Sequence, residues 1–480
     1  MRTLLALPFF IVTLSASAYQ TQEEQKTSLS DQKNVSVTIY NDNLALVKDQ
    51  RSVKLKNGNV DLAFRDVSAK IRPETALLRS ISAPGQLSVN EQNFHFDLLS
   101  PQKLLEKYVG NYVSIIRTNP VTGAEMTESA QVLSANQGVV LKIGDRIETG
   151  LPGRIVYNNL PSNLRDRPTL VMSLNNKASQ QQDVELSYLT SGLAWKADYV
   201  VELNANDDKL DMSGWVTLSN TSGASYKNAK LQLVAGDVNQ GVQQVTITSS
   251  NIRSKAAPAP ALEEKAMTQE SLFEYHLYTL NRATDILENQ SKQVALLSAA
   301  NVPAQKEFLL QGNNYYYQRS YGDLGQKIKV GVFIEFENKE NAQLGMPLPK
   351  GIIRVYKKDA SGNAQFIGED SVNHTPKNEK VKLKLGDAFD VTANKNQSDF
   401  KRLNDDTKYP NKSESAYEIE IKNAKKEAII VTVREPIPGD WQILSESHAH
   451  TKSTSNTATW KIKVPAEGSA ILKYRTLIRF

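Results

Sequence analysis

Apolar and polar residues alternate with a period of two along many short stretches of this chain. The strictest stretch is residues 381–385, Val-Lys-Leu-Lys-Leu, in which every second side chain is apolar. Successive side chains of a β-strand point to opposite faces, so this period predicts a strand with one buried face and one solvated face. The same alternation recurs at residues 35–40, 60–64 and 184–188. The chain is therefore expected to fold as an all-β protein.

Turn residues separate the predicted strands at intervals of about ten residues, which is typical of antiparallel β-sandwiches. The turn Asp-Ala-Ser-Gly-Asn at residues 359–363, for example, lies between two apolar runs and predicts a hairpin. We expect a multi-domain arrangement of sandwiches, with an N-terminal domain at residues 35–163, a middle domain at 164–320 and a C-terminal domain at 321–480. Short strands after a capped helical turn at Ser100 suit a small β-barrel insert over residues 101–153.

The first 18 residues have the parts of a secretory signal peptide. Arg2 precedes an apolar run over residues 4–14, and Ala16-Ser-Ala18 supplies small residues at the cleavage position. We expect export, cleavage after Ala18, and a disordered leader over residues 19–34. No later stretch has the roughly twenty consecutive apolar residues of a membrane helix, so no transmembrane segment is expected in the mature chain.

Cysteine is absent from the sequence, and the formal net charge is +5. Without cysteine, disulfides, thiol catalysis, thiolate metal sites and a lipoprotein anchor are excluded. Acidic and basic residues are interleaved rather than gathered in a basic stripe, so nucleic acid is not an expected partner. Two polar stretches are predicted to lack regular structure: a linker at residues 249–269 and a long mobile loop at residues 393–415.

Several short sequence motifs indicate a family. The motifs "LPKGIIRVY", "FIGED", "HTPKNE" and "LGDAFDV" follow one another within residues 348–391. Together with segments at residues 38–47, 192–199 and 214–236, they resemble the mucoidy-inhibitor-A-like family of bacterial envelope proteins, which have a C-terminal domain of unknown function. The resemblance implies a strand-rich fold and an envelope location. It implies no particular function, because the family has no agreed biochemical activity. Some relatives carry a coiled-coil insert, but this sequence has no sustained heptads.

Motifs of known catalytic chemistry are missing from the sequence: there is no Gly-x-Ser-x-Gly elbow, Walker loop or dinucleotide fingerprint. His448 and His450 would share one face of a strand and so could chelate a metal, but a third ligand is not identifiable and an ordinary polar edge strand accounts for them better. His95 and Asp97 lack a neighbouring nucleophile. No catalytic residue, cofactor or metal ligand is therefore predicted.

Acidic pairs in predicted turns leave a hydrolase open as an alternative. A glycosidase needs two carboxyl groups about 5–10 Å apart across a cleft, and strands bring such groups together from distant positions. Asp387 and Asp390, in the motif "GDAFDV", are the acids of most interest. Capping of a strand end is the simpler role for both.

The clearest candidate for a binding site is the stretch of residues 313–321, NNYYYQRSY. Tyr315, Tyr316, Tyr317 and Tyr321 surround Arg319, and tyrosine gives an apolar face and a hydroxyl at a low entropy cost. On a strand, consecutive tyrosines point to opposite faces, so at least one is expected at the surface or against a neighbouring domain. Packing between two domains is the simpler reading, and a partner-binding patch is the alternative.

These observations favour an uncharacterised exported, envelope-associated, non-catalytic protein that binds or organises a protein or glycan partner. The alternative is an exported hydrolase that acts on a polysaccharide or peptidoglycan component. A periplasmic or extracellular location is expected, with association at the outer membrane as one form of it. The two functions are distinguished by what converges in a cleft: two acids favour the hydrolase, and exposed aromatic residues favour the binding protein.

Overall fold

A computed structural model describes residues 24–41, 43–161, 164–178, 181–236, 238–239, 267–403 and 411–479. The predicted signal peptide and most of the predicted linker lie outside these ranges. The described residues form thirty β-strands, one α-helix and four short 3-10 helices, which confirms the all-β prediction. Within them, no helix is both long and apolar enough to cross a membrane.

Residues 25–190 contain thirteen strands and the α-helix. The strands are β1 (Gln25–Thr27), β2 (Gln32–Tyr40), β3 (Leu44–Lys54), β4 (Gly58–Arg65), β5 (Leu77–Ser80), β6 (Leu87–His95), β7 (Tyr112–Thr118), β8 (Glu125–Ser134), β9 (Val140–Ile143), β10 (Arg146–Thr149), β11 (Arg154–Val156), β12 (Thr169–Asn176) and β13 (Gln181–Thr190). Helix α1 (Pro101–Lys107) starts as predicted, because the Ser100 side chain accepts a hydrogen bond from the backbone N–H of Lys103.

Residues 193–479 contain the other seventeen strands, including the longest ones. The strands are β14 (Leu193–Leu203), β15 (Lys209–Asn220), β16 (Tyr226–Ala235), β17 (Met267–Leu272), β18 (Tyr275–Leu280), β19 (Thr284–Ile286), β20 (Gln290–Gln311), β21 (Asp323–Glu337), β22 (Gly351–Lys358), β23 (Ala364–Val372), β24 (Lys380–Leu403), β25 (Lys412–Asn423), β26 (Ile429–Pro436), β27 (Asp440–Glu446), β28 (Thr451–Thr454), β29 (Thr457–Val464) and β30 (Gly468–Arg479). The 3-10 helices are Leu29–Asp31, Pro73–Thr75, Asn314–Tyr317 and Glu340–Ala342.

Four sheets assemble from these strands. They have four strands (β1-β4-β12-β6), five strands (β10-β9-β8-β7-β11), eight strands (β17-β18-β16-β2-β3-β13-β5, with β19 on β16) and thirteen strands (β23-β22-β14-β15-β20-β21-β24-β25-β30-β27, with β26, β28 and β29 attached). Most neighbours are antiparallel, but β1–β4, β2–β16, β14–β22 and β20–β26 are parallel. Three of these parallel pairs join strands that are far apart in the chain, which local sequence patterns do not reveal.

The five-stranded sheet corresponds to the predicted small barrel. Its outer strands are β10 and β11, and each pairs on one side only, with β9 and β7 respectively. The sheet is therefore open, and the expected barrel at residues 101–153 is wrong. Helix α1 covers one face instead: Leu105 and Tyr108 pack with Ile115 and Leu141 in a small core of their own.

The buried apolar side chains of the described residues form three hydrophobic clusters. The first contains buried residues between Val35 and Leu383, the second between Phe308 and Ile478, and the third between Leu105 and Ile143. Strands β20, β21 and β24 contribute to both of the first two clusters. In β24, for example, Val381 and Leu383 are in the first cluster, whereas Val391 and Ala393 are in the second. The predicted domain boundaries stay predictions, and the first cluster takes residues from all three predicted domains, for example Val35, Leu170 and Ile334.

Two segments that were expected to lack structure are ordered. Gln25–Thr27 of the predicted leader pairs in parallel with β4, and the guanidinium of Arg165 donates two hydrogen bonds of 2.8 and 2.6 Å to Glu24. In the predicted mobile loop, residues 393–403 and 412–415 belong to the paired strands β24 and β25. Both segments are polar because much of their side-chain surface is solvated, and pairing of the backbone does not require apolar side chains.

Candidate functional site

The tyrosine-rich stretch is a 3-10 helix rather than a strand. It spans Asn314–Tyr317, and the Asn313 side chain caps it by accepting a hydrogen bond of 3.3 Å from the backbone N–H of Tyr315. Tyr316 and Tyr317 are buried in the second cluster, whereas Tyr315 is 41% exposed. Arg319 is exposed, and Tyr321 is half-buried. The helical turn directs Tyr316 and Tyr317 into the core, whereas Tyr315 and Tyr321 keep part of their surface accessible.

A buried ion pair lies beneath these tyrosines. Nζ of Lys395 is 2.6 Å from Oε2 of Glu435, and the two side chains are 3% and 1% exposed. The hydroxyl of Tyr317 donates to the same Oε2 over 2.9 Å. Since that hydroxyl has one proton, its 2.8 Å hydrogen bond with Tyr474 is one in which Tyr474 donates. The Glu435 carboxylate is therefore stabilised by the positive charge of Lys395 and by the hydrogen bond from Tyr317.

Aromatic rings enclose the ammonium group of Lys395. Nζ lies 4.2 Å from the ring centroid of Tyr316, 5.2 Å from that of Tyr417 and 5.9 Å from that of Tyr317. Cation–π attraction to these rings compensates part of the lost hydration. Burial nevertheless lowers the pKa of Lys395, although the charge of Glu435 acts in the opposite direction.

The phenols around the ion pair stay protonated at neutral pH. Burial raises the pKa of Tyr316 and of Tyr417 to about 12. Burial and the charge of Glu435 raise the pKa of Tyr317 and of Tyr474 well above the ordinary value for tyrosine. A phenol that keeps its proton serves as a hydrogen-bond donor to the carboxylate and not as a base.

Gly312 forms the wall next to the carboxylate. A Cβ atom at this position would overlap the carboxyl group of Glu435, so a side chain there would displace the carboxylate. Glu435 Oε1 has no hydrogen-bond partner within the part of the chain that the structure describes. The carboxylate is thus packed tightly on one side and bonded through one oxygen only.

The surface half of the cluster is held in place by Gln397. Its Oε1 accepts from the backbone N–H of Tyr321 over 2.7 Å, and its Nε2 donates to the carbonyl of Arg319 over 3.1 Å. The ring of Tyr315 lies 4.6 Å from that of Tyr316 and 5.6 Å from that of Tyr321, both edge-on. Arg319 lies over the ring of Tyr321 at 4.9 Å. We call Tyr315, Arg319 and Tyr321 the tyrosine surface.

Residues 184–480 match a family described as a domain of unknown function, DUF4139. The match covers more than half of the chain. This protein belongs to the DUF4139 family. The tyrosine surface and the buried ion pair both lie inside the DUF4139 region. A search of curated proteins found no match to the chain.

The two histidines near the end of the DUF4139 region have separate partners. Nδ1 of His450 lies 2.9 Å from Oε2 of Glu446, which also accepts a hydrogen bond of 2.9 Å from Nε1 of Trp460. Nδ1 of His448 lies 3.0 Å from the hydroxyl of Ser447. Across the described residues, no group of three or more His, Cys, Asp or Glu side chains is arranged to hold a metal ion.

His95 and Asp97 lie outside the DUF4139 region and bond to different residues. Nδ1 of His95 accepts a hydrogen bond of 3.1 Å from Arg165, and Asp97 pairs with Lys107 at 2.9 Å. Burial and the positive charge of Arg165 lower the pKa of His95. The pair is therefore engaged in structural contacts.

A small cavity in the DUF4139 region brings two acids near each other. It has a volume of about 210 Å³, and both Asp207 and Asp387 line it. Asp207 lies 2.8 Å from Lys306 and 2.5 Å from Lys357. Burial acts to raise the pKa of Asp207, but the hydrogen bonds and charges of the two lysines outweigh burial and lower it. Asp390, the other predicted acid, is exposed and uses its carbonyl to accept from Ala424.

The sequence did not single out Lys395, Glu435, Tyr417 or Tyr474 as site residues. Lys395 lies in the polar stretch that was expected to be a loop, and Glu435 follows an ordinary strand pattern. A single sequence shows no signal that these residues meet, because four separate strands and one turn bring them together.

Proposed function

We propose that this DUF4139 protein is an exported, envelope-associated protein that binds or organises a protein or glycan partner and is not an enzyme. The observation on which the proposal rests is the tyrosine surface. Two aromatic rings and a guanidinium group reach the surface there, and buried neighbours fix their positions. Because the loop is already ordered, little conformational entropy remains to be lost when a partner binds.

The geometry favours a protein partner with acidic groups over a glycan. Sugars stack on a flat, open aromatic face, but Arg319 covers one face of the Tyr321 ring and Tyr315 is packed edge-on. Arg319 itself presents N–H donors that suit a carboxylate. Tyrosine and arginine are also the side chains most enriched among the energetically dominant residues of protein interfaces.

The envelope location rests on the beginning of the chain and on the family resemblance. Residues 1–18 have the pattern of a signal peptide, and they lie outside the described residues. Within the DUF4139 family, the motifs at residues 348–391 support a finer assignment to the mucoidy-inhibitor-A-like envelope proteins. We propose a periplasmic or extracellular location on these grounds.

The hydrolase alternative receives no support from the cavity that Asp207 and Asp387 line. A retaining or inverting glycosidase requires one carboxyl group that holds its proton until it protonates the leaving oxygen. The pKa of Asp207 is lowered by two lysines, so this carboxyl group is ionised at neutral pH. Asp207 is therefore not a candidate for the protonating acid.

The proposal can be tested with Tyr315→Ala, Arg319→Ala and Tyr321→Ala, alone and combined. Retention of the purified protein on an envelope protein fraction and on purified peptidoglycan is measured separately, beside the melting temperature. We expect the triple variant to lose retention on the protein fraction with little change in melting temperature. Tyr112→Ala, which removes a more exposed tyrosine from the five-stranded sheet, is the matched control and should be retained normally.

Three outcomes are informative in that experiment. Loss of retention on peptidoglycan alone would identify a glycan partner. Retention of the triple variant at the level of the parent on both fractions would contradict the proposed surface. Release of sugar fragments or peptides from peptidoglycan by the purified parent protein would contradict the non-catalytic role.

A further inference from the structure

One scheme of strand pairing occurs four times along the chain. In each occurrence, which we call a unit, five strands follow in order: the first pairs with the second, the second with the fifth and the third with the fourth, all antiparallel. The units are β2-β3-β4-β12-β13, β14-β15-β16-β19-β20, β20-β21-β22-β23-β24 and β24-β25-β26-β29-β30. Strands β20 and β24 each belong to two successive units, so the units form a continuous array.

A buried asparagine marks the same place in the last three units. Asn220 and Asn423 end the second strand of the second and fourth units, and Asn338 directly follows the second strand of the third. Each side-chain amide donates to two carbonyls, one just before the third strand and one at or after the end of the fourth. The acceptors are Ala224 and Ile286, Met346 and Pro376, and Glu427 and Pro465. One residue type with one set of contacts supports the recurrence of the unit.

The parallel strand pairs follow from this array. In the second, third and fourth units, the third strand pairs in parallel with the first strand of the unit before: β16 with β2, β22 with β14 and β26 with β20. On β20, pairing with β15 ends at Pro303, and residues 308–311 then pair with β26, while β21 lies along the other edge. Between these two stretches, the backbone N–H of Ala304 donates over 2.8 Å to the carbonyl of Asp208, in the turn between β14 and β15.

Strand β24 repeats the arrangement of β20 up to the point where the parallel strand would pair. Its pairing with β21 ends at Asn396, and the backbone N–H of Gln397 then donates over 2.7 Å to the carbonyl of Gly322, between β20 and β21. Residues 399–403 pair with β25 on the other edge. Among the residues that the structure describes, no strand pairs with β24 at the position equivalent to that of β26 on β20. We call this edge of residues 398–403 the open edge.

The open edge begins beside the tyrosine surface. The side chain of Gln397 accepts from the backbone N–H of Tyr321 and donates to the carbonyl of Arg319, so Gln397 holds this surface at the start of the open edge. The connection that contains the tyrosine surface lies at the same place in its unit as the turn with Asp208 does in the unit before. A strand added to the open edge would therefore contact residues of the tyrosine surface.

We propose that the partner of the tyrosine surface binds by adding one extended segment to the open edge, as a β-strand parallel to β24. The inference rests on the proposed function and names the form in which the protein partner is recognised. The equivalent position on β2, β14 and β20 is filled by a parallel strand in each case. In recognition of this kind, backbone hydrogen bonds supply affinity and neighbouring side chains supply specificity.

The charges on the open edge favour a partner other than a second copy of this chain. Lys401 and Arg402 are exposed there, and like charges on an edge oppose pairing between two copies of that edge. The carboxylate of Asp399 accepts a hydrogen bond of 2.9 Å from Arg475 and lies 3.6 Å from Lys401. An acidic segment that suits Arg319 would also meet Arg402.

A pair of proline variants tests the proposal. Successive backbone N–H groups of a strand point to opposite edges, so one of Lys401→Pro and Arg402→Pro removes an N–H that faces the open edge and the other removes one that faces β25. The second should lower the melting temperature. The first should melt close to the parent, yet its retention on the envelope protein fraction should fall to the level of the triple tyrosine-surface variant. Lys401→Ala and Arg402→Ala remove the same charges but keep the N–H, so each should be retained better than the edge-facing proline variant.

Amide hydrogen exchange shows directly whether a strand is added. When the envelope protein fraction is mixed with the parent, amides within residues 398–403 should exchange more slowly, and they should not do so in the triple variant of Tyr315, Arg319 and Tyr321. Strand β23 ends its sheet and pairs on one side only, so it is the matched edge, and its exchange should not change.

The outcomes separate this inference from the proposed function. If the triple variant loses retention but the edge-facing proline variant keeps it, strand addition is wrong and the tyrosine surface remains a binding site. If the parent itself is not retained, both are wrong. A dimer of the purified parent that the edge-facing proline abolishes would identify a second copy as the occupant, and slow exchange at residues 398–403 before any addition would identify a segment of the same chain. Either of these last two results would also overturn the proposal.

Discussion

Lys395 and Glu435 meet at 2.6 Å although their strands are not hydrogen-bonded to each other. Strand β24 pairs with β21 and β25, whereas β26 pairs with β20 and β29. The ion pair thus joins two parts of the thirteen-stranded sheet across the interior of the second cluster. Its position explains why the overlying 3-10 helix, with Tyr316 and Tyr317, is fixed.

Removal of one partner of this ion pair should be costly. Lys395→Met leaves the Glu435 carboxylate buried without its counter-charge, and we expect a loss of about 3–5 kcal/mol in the free energy of unfolding. The double variant Lys395→Met with Glu435→Leu should recover much of this loss, because no buried charge remains. Urea denaturation measures both values.

The matched control for that prediction is Lys380→Met. Lys380 lies 2.8 Å from Glu335, but its side chain is exposed, so the expected loss is about 0–1 kcal/mol. If Lys395→Met and Lys380→Met unfold at the same urea concentration, the buried pair does not stabilise the fold.

Stability should fall steeply above pH 10. Tyr316 and Tyr417 have a pKa of about 12 in the folded chain, compared with about 10 when unfolded, and burial also raises the pKa of Tyr317 and of Tyr474 well above the ordinary value. The folded state therefore holds more protons than the unfolded state above pH 10, and stability decreases as pH rises. The lowered pKa of Lys395 changes stability in the opposite direction, because below pH 10.5 the unfolded state binds the extra proton. This is the contribution of one group, whereas four tyrosines make stability decrease with pH.

Thermal melting between pH 8 and pH 11.5 measures this dependence. Tyr474→Phe removes one of the titrating phenols, so its melting temperature should fall less between pH 10 and pH 11.5 than that of the parent. Equal slopes for the two proteins would show that Tyr474 does not titrate differently in the folded and unfolded states.

Trp195 is buried in the first cluster, and its replacement should be strongly destabilising. The side chain is 5% exposed, and its Nε1 has no hydrogen-bond partner among the residues that the structure describes. Its contribution is therefore packing, and we expect Trp195→Ala to cost about 3–5 kcal/mol in unfolding free energy. Phe273→Ala serves as the exposed control. A melting temperature of Trp195→Ala equal to that of the parent would be inconsistent with burial.

Export is tested at the start of the chain. The small residues Ala16-Ser-Ala18 predict that protein recovered from the envelope begins at Tyr19. N-terminal sequencing of the fractionated protein gives the result directly, and substitution of Ala18 by a large residue should leave the precursor uncleaved. Recovery of the parent from the cytoplasm with Met1 still present would exclude export.

Local patterns predicted the local structure well. The turn at residues 359–363 joins β22 and β23 as expected, and Val381 and Leu383 are buried while Lys380 and Lys384 are exposed. Both results depend on side chains within a few residues of each other. Ser100 capping of α1 is another example of a signal that needs only its neighbours.

Long-range structure was beyond the reach of these patterns. The polar segment at residues 393–403 is a strand because β21 and β25 lie on either side of it. The composition of the segment does not reveal either of these neighbouring strands. Tyr316 and Tyr317 were expected on a strand, but Asn313 caps a helical turn there. Prediction of a contact such as that between Lys395 and Glu435 requires knowing which strands face each other. Local patterns in a single sequence do not give this information.

The three long strands β20, β21 and β24 have a consequence for how the protein unfolds. Each runs without interruption from the first hydrophobic cluster into the second, so melting either cluster removes walls of the other. The two clusters should therefore behave as one cooperative unit with a single heat-absorption peak. The third cluster has a sheet of its own and is free to open at a lower temperature, which makes amide exchange fastest there.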